Sequence, residues 1–418
     1  MTNIPRQRIL VITGVFPPMQ MAEGDHIARL CEELAARGYA IDVLTSVEGT
    51  PGLASGYHVH ATMHSWDWAS QRRITELLQK LRPDIVFIWY VGMAYGYHPM
   101  ITFVPSLIKR NLPHTRVITQ VTAPVGSEPL RFPRATRVLR KAAALMAGGG
   151  NIDFHYGTLL RDSDAVIAMA ESHLQQLSTA FPELEPKASI VPPPPLIPMS
   201  PDTVASRQRG RELLGVSQNV PLFAYFGRLY HGKGIEHLID AFKRVVNERP
   251  DARLAIIGGP ASPKPGEDWN PDSLRRRASS LGLDPVISWT GEFPFESDVG
   301  SLYLRAADFA VLPFDWGAAL NNSSIAACVS HGLPLITTRR DPEDPAFSDR
   351  GNALLCPSRN SAALANAMLT LLNDKTLAGQ LRTGAEELRR VHFSWETSVD
   401  RTISAFDKTQ ANRRGRDV

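Results

Sequence analysis

Short apolar runs alternate with amphipathic stretches along most of this chain. Arg8–Thr13 (RILVIT) is apolar almost throughout, as befits a strand covered on both faces. A proline- and glycine-bearing loop, Gly14 to Gly24, follows. Asp25–Arg37 then sets Ile27, Leu30, Cys31 and Leu34 on one helical stripe, and Gly38 stands where a helix C-terminus favours glycine. Ala40–Thr45 completes a strand–helix–strand unit. The same reading predicts strands at Asp84–Trp89, Arg116–Val121 and Asp164–Ala168, with a helix over Arg134–Ala147. Further on, strands are predicted at Leu222–Tyr225, Arg253–Ile257, Val286–Trp289, Phe309–Leu312 and Leu335–Thr337. Helices Ile235–Glu248, Ser273–Leu281 and Ser324–His331 fall between them. Such alternation predicts an α/β fold with doubly wound parallel sheets. In that fold, a phosphate site is expected in the loop after a first strand.

Val191–Pro201 holds six prolines in eleven residues, which suits an extended connector between two domains. The 418 residues are comfortable for two. Hydrophobic residues make up 43% and charged residues 21%, the profile of a globular protein. A formal net charge of +3 carries no nucleic-acid signature. Cys31, Cys328 and Cys356 are too widely spaced for a zinc pattern or a disulfide framework. No apolar run approaches the ~20 residues that cross a bilayer, and Met1–Arg8 has no signal-peptide core. A cytoplasmic protein is expected.

The segment with most chemistry is Tyr225–Arg244, YFGRLYHGKGIEHLIDAFKR. A strand ends at Phe226, Gly227 turns the chain, and Gly234 opens a helix. Small residues let a phosphate approach the backbone, and the helix start adds free N–H groups and a favourable dipole. Arg228 suits two phosphate oxygens at once, and Lys233 adds a compact charge. Two cations five apart fit a diphosphate. Gly227-x4-Gly232-Lys233-Gly234 also approaches a P-loop, but Gly234 stands where the metal-ligating hydroxyl belongs.

FGRL…KGIEHLIDAF resembles the signature of retaining family-4 (group 1) glycosyltransferases. Other segments agree in order: Phe16-Pro17-Pro18 with Gly24, Leu160–Glu171, Arg253–Gly259, Trp289–Phe293, Ala307–Leu335 and His392–Val399. The resemblance implies the GT-B fold: two Rossmann-like domains facing each other across a cleft, with a C-terminal helix crossing back to the first. Residues 1–200 would be the acceptor-side domain, 201–390 the nucleotide-sugar-binding domain and 391–412 the crossover helix. It implies transfer of a sugar, with retention, from a nucleotide-diphosphate sugar to a hydroxyl on a glycan or lipid-linked acceptor. Polysaccharide or glycolipid assembly is the expected setting. Arg228 and Lys233 would be catalytic, stabilising the departing diphosphate, with neither cofactor nor metal. Gly24, Gly227, Gly259, Gly291, Glu292, Phe293, Asn321, Asn322, Ser323 and Ser324 would bind the donor.

The chain also departs from that pattern. Two glutamates eight apart would fall at Ala319 and Ala327. Asn321-Asn322-Ser323-Ser324 remains at a helix start, able to cap it or to face phosphate, and Asp315 is a substitute carboxylate. A first-domain His is replaced in VITQVT by Gln120 and Thr122. His26, His98 and His155 are candidate sugar contacts. Arg131, Arg134, Arg137, Arg140 and Lys141 form a basic stripe suited to an anionic membrane or lipid-linked acceptor, which would place the protein at the inner membrane face. A nucleotide-sugar epimerase and an inactive nucleotide-sugar-binding scaffold are the alternatives on the same fold.

Overall fold

The computed structural model describes residues 7–414 except 20, 51, 55, 125–137, 139–141, 143–144, 146, 150–151, 154, 262–269 and 295–296. The basic stripe, Arg131, Arg134, Arg137, Arg140 and Lys141, lies outside the described residues, as does most of the helix expected over Arg134–Ala147. The chain divides into two compact units, residues 1–192 with 398–418, and residues 193–397.

The first unit is built on a sheet of β1 (Arg8–Thr13), β2 (Ala40–Ser46), β3 (Gly52–Ala54), β4 (Tyr57–Met63), β5 (Ile85–Tyr90), β6 (Arg116–Val121), β7 (Ala165–Ala168) and β8 (Ala188–Ile190). Its spatial order is β3-β4-β2-β1-β5-β6-β7-β8, parallel except for the edge strand β3. Strand order reverses between β1 and β5, which lie side by side in the middle. Helices α1 (Ala22–Ala36), α2 (Gln71–Leu81), α3 (Val104–Asn111), α4 (Leu159–Asp162) and α5 (Glu171–Ala180) connect the strands. The stripe expected on α1 is buried at Ile27, Leu30, Cys31 and Leu34, and Gly38 follows the helix at φ +95°. β4 (YHVHATM) escapes sequence reading because its outer face is polar.

The second unit starts with α6 (Val204–Leu214). Its sheet contains β9 (Leu222–Phe226), β10 (Arg253–Ile257), β11 (Ile287–Gly291), β12 (Phe309–Leu312), β13 (Leu335–Thr338) and β14 (Leu354–Cys356). All its pairs are parallel, in the order β11-β10-β9-β12-β13-β14. Helices α7 (Ile235–Glu248), α8 (Asp272–Ser280), α9 (Val299–Ala306), α10 (Ser323–Ser330), α11 (Ser361–Asn373) and α12 (Lys375–His392) complete it. α7 buries Ile235, Leu238, Ile239, Phe242 and Val245, one stripe at helical spacing. Arg211 of α6 is fully buried. It donates to the carbonyls of Ala306, Ser217 and Val220 and to the Asp308 carboxylate, which also accepts from Leu222 N–H.

The units divide at Pro192–Pro193, eight residues before the boundary expected at 200. The prolines beyond it are tied to the second unit, where Trp395 Nε1 donates to the Pro195 carbonyl at 3.0 Å and Ser200 N–H to Ser301 Oγ at 2.8 Å. The last helix, α13 (Trp395–Arg414), passes from one unit to the other. Its buried positions Val399, Thr402, Ala405, Phe406 and Thr409 recur every three or four residues. Phe406 packs on Phe87, and its carbonyl accepts from Arg116 Nη1 at 2.8 Å. Among the described residues no helix is long and apolar enough to cross a membrane.

Candidate functional site

In the second unit the order β10-β9-β12-β13 reverses direction between β9 and β12, so a crevice is expected beyond their carboxyl ends. The loop from Gly227 to Gly234 leaves β9 at that point, and the loop from Pro313 to Asn322 leaves β12 beside it. Glycines bring the pieces together. Gly227 has φ +133°, and a Cβ there would lie 2.4 Å from Ser324 Oγ, so the start of α10 sits directly on the turn. Gly234 has φ +68°, and a Cβ there would meet the Pro313 carbonyl oxygen.

Lys233 is buried at 6% exposure, and its Nζ lies 4.6 Å from the Phe314 ring centroid, 4.9 Å from Tyr230 and 6.0 Å from Trp316. Among the described residues it has no carboxylate partner. Three ring faces offset part of the loss of hydration, but burial still pulls its pKa down to about 8. Arg228 is its opposite: the side chain is 58% exposed, and Nη1 reaches Glu292 Oε1 only at 4.0 Å. A surface pair of that length holds Arg228 weakly and leaves its guanidinium available.

Glu292 packs over Gly259, where a Cβ would lie 2.1 Å from Glu292 Cγ. Gly291 turns at φ +67° in open space. Phe293 packs on Phe226 and against Gly300. Asn322 caps α10, its Oδ1 accepting from Ser324 N–H at 3.0 Å and Ile325 N–H at 3.4 Å. Of the two roles open to this segment, Asn322 takes the cap, which consumes two of the N–H groups at the helix start. What the helix start still offers is the positive dipole end, the exposed Ser323 and the Ser324 hydroxyl, with no acidic residue in the first turn. Asn321 lies just before the cap, half-buried.

Asp315 is already engaged. Its side chain is 7% exposed and accepts from Arg359 Nε at 3.0 Å, with His237 Nε2 at 3.9 Å. Ala319 and Ala327 are both buried, at 2% and 1% exposure. The enclosing rings of Tyr230, Phe314 and Trp316 were missed by sequence reading. The interleaved aromatics at 314 and 316 were the available signal, since Trp316 remains 43% exposed.

The remaining candidates belong to the first unit. Gly24 lies in the first turn of α1, where a Cβ would make ordinary contact with the Phe16 backbone. Glu23 and Asp25 in the same turn make that helix start less favourable for an anion. His26 packs edge-on against Trp89, with centroids 4.8 Å apart, and burial pushes its pKa down to about 3. Gln120 is the register partner of Trp89, and its buried Oε1 has no hydrogen-bond partner among the described residues. Trp89 Nε1 is likewise buried and without a hydrogen-bond partner among the described residues. Thr122 Oγ1 donates to the Tyr90 carbonyl. His26 and Gln120 thus both adjoin Trp89 at the β1–β5–β6 strand ends. His98 is spent locally, Nδ1 accepting from Met100 N–H, and His155 is half-buried in a turn.

Two doubly wound α/β units with a glycine-rich, cationic turn at the second unit's switch point define a GT-B protein. Solved structures agree on the fold. A glycosyltransferase from Rickettsia africae aligns at TM-score 0.72 and 13% identity, covering 98% of this chain and 100% of that one. The Anabaena protein HepE in complex with UDP and glucose aligns at 0.66 and 16%, covering 96% and 100%. The family description "Glycosyl transferases group 1" matches residues 220–374, and "Glycosyl transferase 4-like" matches residues 20–152. The chain belongs to the family-4, group 1 glycosyltransferases. Among curated relatives, the D-inositol 3-phosphate glycosyltransferase of Corynebacterium glutamicum is 27% identical over 61% of this chain. The match spans 59% of that relative's length. The Corynebacterium kroppenstedtii enzyme of the same name is 25% identical over 96% of this chain and 89% of its own length. The mannosylfructose-phosphate synthase of Agrobacterium fabrum is 30% identical over 46% of this chain and 41% of its own.

Proposed function

We propose that this protein transfers a sugar, with retention, from a nucleotide-diphosphate sugar to a hydroxyl acceptor in glycan or glycolipid assembly. The observation that carries the reading is Lys233, a buried cation with no anionic partner among the described residues, beside the exposed Arg228 and the start of α10. Leaving such a charge unpaired is costly unless a ligand supplies the counter-charge. A diphosphate does so. As the glycosidic bond breaks, the bonding pair stays with the diphosphate oxygen, and Lys233 and Arg228 stabilise the added negative charge. HepE, of the same fold, is described with UDP and glucose, and the Corynebacterium relatives are named D-inositol 3-phosphate glycosyltransferases. Because the two cations belong to the chain, transfer is read as metal-independent.

The acceptor reading rests on Gln120 Oε1 and Trp89 Nε1, buried polar groups without a partner among the described residues that a hydroxylated ligand would satisfy. An inactive nucleotide-sugar-binding scaffold is the second reading, favoured by the buried alanines at 319 and 327. A panel of nucleotide sugars, with and without glycan or lipid acceptors, separates the two by nucleoside-diphosphate release. Release is expected to persist in EDTA and to fall at least ~100-fold in Lys233→Ala and Arg228→Ala, the scale of losing a transition-state charge contact. Tight donor binding without turnover on any acceptor overturns the transferase reading in favour of the scaffold.

A further inference from the structure

The β2–β4 pair, next to the edge strand β3 of the first unit's sheet, carries a group of side chains that the transfer reading does not use. Asp42 on β2 and His58 and His60 on β4 each offer one ligand atom, and these atoms all lie within 4.8 Å of one another. Strand geometry explains why they meet. His58 and His60 are two apart, so both imidazoles leave the same face of β4, while Val59 between them is buried on the other. The parallel register sets Asp42 opposite His58. His60 Nε2 lies 2.8 Å from Asp42 Oδ1, and the two imidazole rings stack with centroids 4.6 Å apart.

We propose that Asp42, His58 and His60 bind one borderline divalent cation of the zinc class. Donor atoms on one tetrahedral zinc ion lie ~3.3 Å apart, given bonds of ~2.0–2.1 Å. The Asp42–His60 pair therefore opens by about half an ångström, and the exposed His58 ring closes by about 1.5 Å at most. Two imidazoles and one carboxylate select Zn²⁺, Ni²⁺ or Cu²⁺ over Mg²⁺ and Ca²⁺, which prefer all-oxygen shells. The second carboxylate oxygen, Asp42 Oδ2, faces Arg8 Nε at 3.7 Å, an outer partner that orients the ligand and leaves Oδ1 for the ion. Strands hold all three ligands, which limits the ordering cost of binding. Three protein ligands leave the fourth position to solvent, so the ion staples β2 to β4 rather than filling a closed structural site. The rival thiols, Cys31, Cys328 and Cys356, are all buried, and burial pushes each one up, away from the thiolate form that binds metal.

The test is equilibrium titration of the tag-free full chain with ZnCl₂ against a chromophoric chelator, with MgCl₂ as the control. One saturable equivalent of Zn²⁺ is expected, with none for Mg²⁺, and Zn²⁺ should raise the melting temperature. His58→Gln and His60→Gln should each weaken binding at least ~10-fold, the scale expected when coordination is disturbed. His58 is exposed, so His58→Gln carries the test even if His60→Gln, which loses its bond to Asp42, folds poorly. Absence of saturable Zn²⁺ binding overturns the proposal. So does unchanged stoichiometry and affinity in the folded His58→Gln variant.

Discussion

At the scale of single residues, Lys233 ties stability to ligand binding. Its folded pKa is lowered to about 8, so from there up to the ordinary lysine range the unfolded chain binds the extra proton. Stability contributed by this group therefore rises with pH across that window, and the cost of the buried charge is full below it. Lys233→Met keeps the volume and removes the charge. It is expected to stabilise the ligand-free protein by about 1–3 kcal/mol at neutral pH, and by less near pH ~9.5. Thermal melts at the two pH values check this. Nucleoside-diphosphate affinity should move the other way in the wild type, weakening as Lys233 loses its proton above pH ~8, and the Met variant should lack that dependence. A Met variant less stable than wild type at neutral pH would mean that the aromatic rings more than compensate the buried charge.

At the scale of elements, the β9 turn and the start of α10 form one object, because Gly227 leaves room for Ser324. Gly227→Ala adds both a strained φ and a methyl group against Ser324 Oγ. Gly215 has φ +66° and nothing within 4 Å of a Cβ, so Gly215→Ala carries backbone strain alone. The expected order is a loss of about 1 kcal/mol at Gly215 and clearly more at Gly227, read from denaturant midpoints. Only Gly227→Ala should also weaken nucleoside-diphosphate binding. The Arg211–Asp308 pair makes a second prediction. Asp308→Ala strands a fully buried guanidinium that joins α6 to β9 and β12, at a cost of about 3–5 kcal/mol. A drop in melting temperature too small for that range would show that the three backbone carbonyls satisfy Arg211 by themselves.

At the scale of the molecule, each unit has its own sheet and core, and the donor machinery read from Arg228 to Ser324 belongs wholly to the second. Saturating UDP should therefore slow amide hydrogen exchange in residues 227–235 and 313–325 and leave β1 and β2 of the first unit unchanged. Protection confined to the α1 start around Gly24 would place the nucleotide in the wrong unit.

Much of this was legible in the chain because it is local. Covered strands such as Arg253–Ile257 are continuous apolar runs, and Ile235–Glu248 repeats its apolar positions at 3.6 residues, so each declares itself within its own length. The glycine-rich cationic turn after β9 is local in the same way, and the ordered set of such segments pointed to the family. Tertiary structure decided which distant side chains share a place. Phe314 and Trp316 enclose Lys233 only because the sheet order sets β12 beside β9. Asn322 takes the capping role, one of the two roles that the sequence leaves open at the start of α10, and the Trp395 and Ser301 contacts draw residues 193–200 into the second unit. Asp42 meets His58 and His60 through the register of β2 and β4. Periodicity reports which face of an element is apolar. Pairing, register and cap geometry depend on the contacts that assemble the elements, and those set the chemistry at both places.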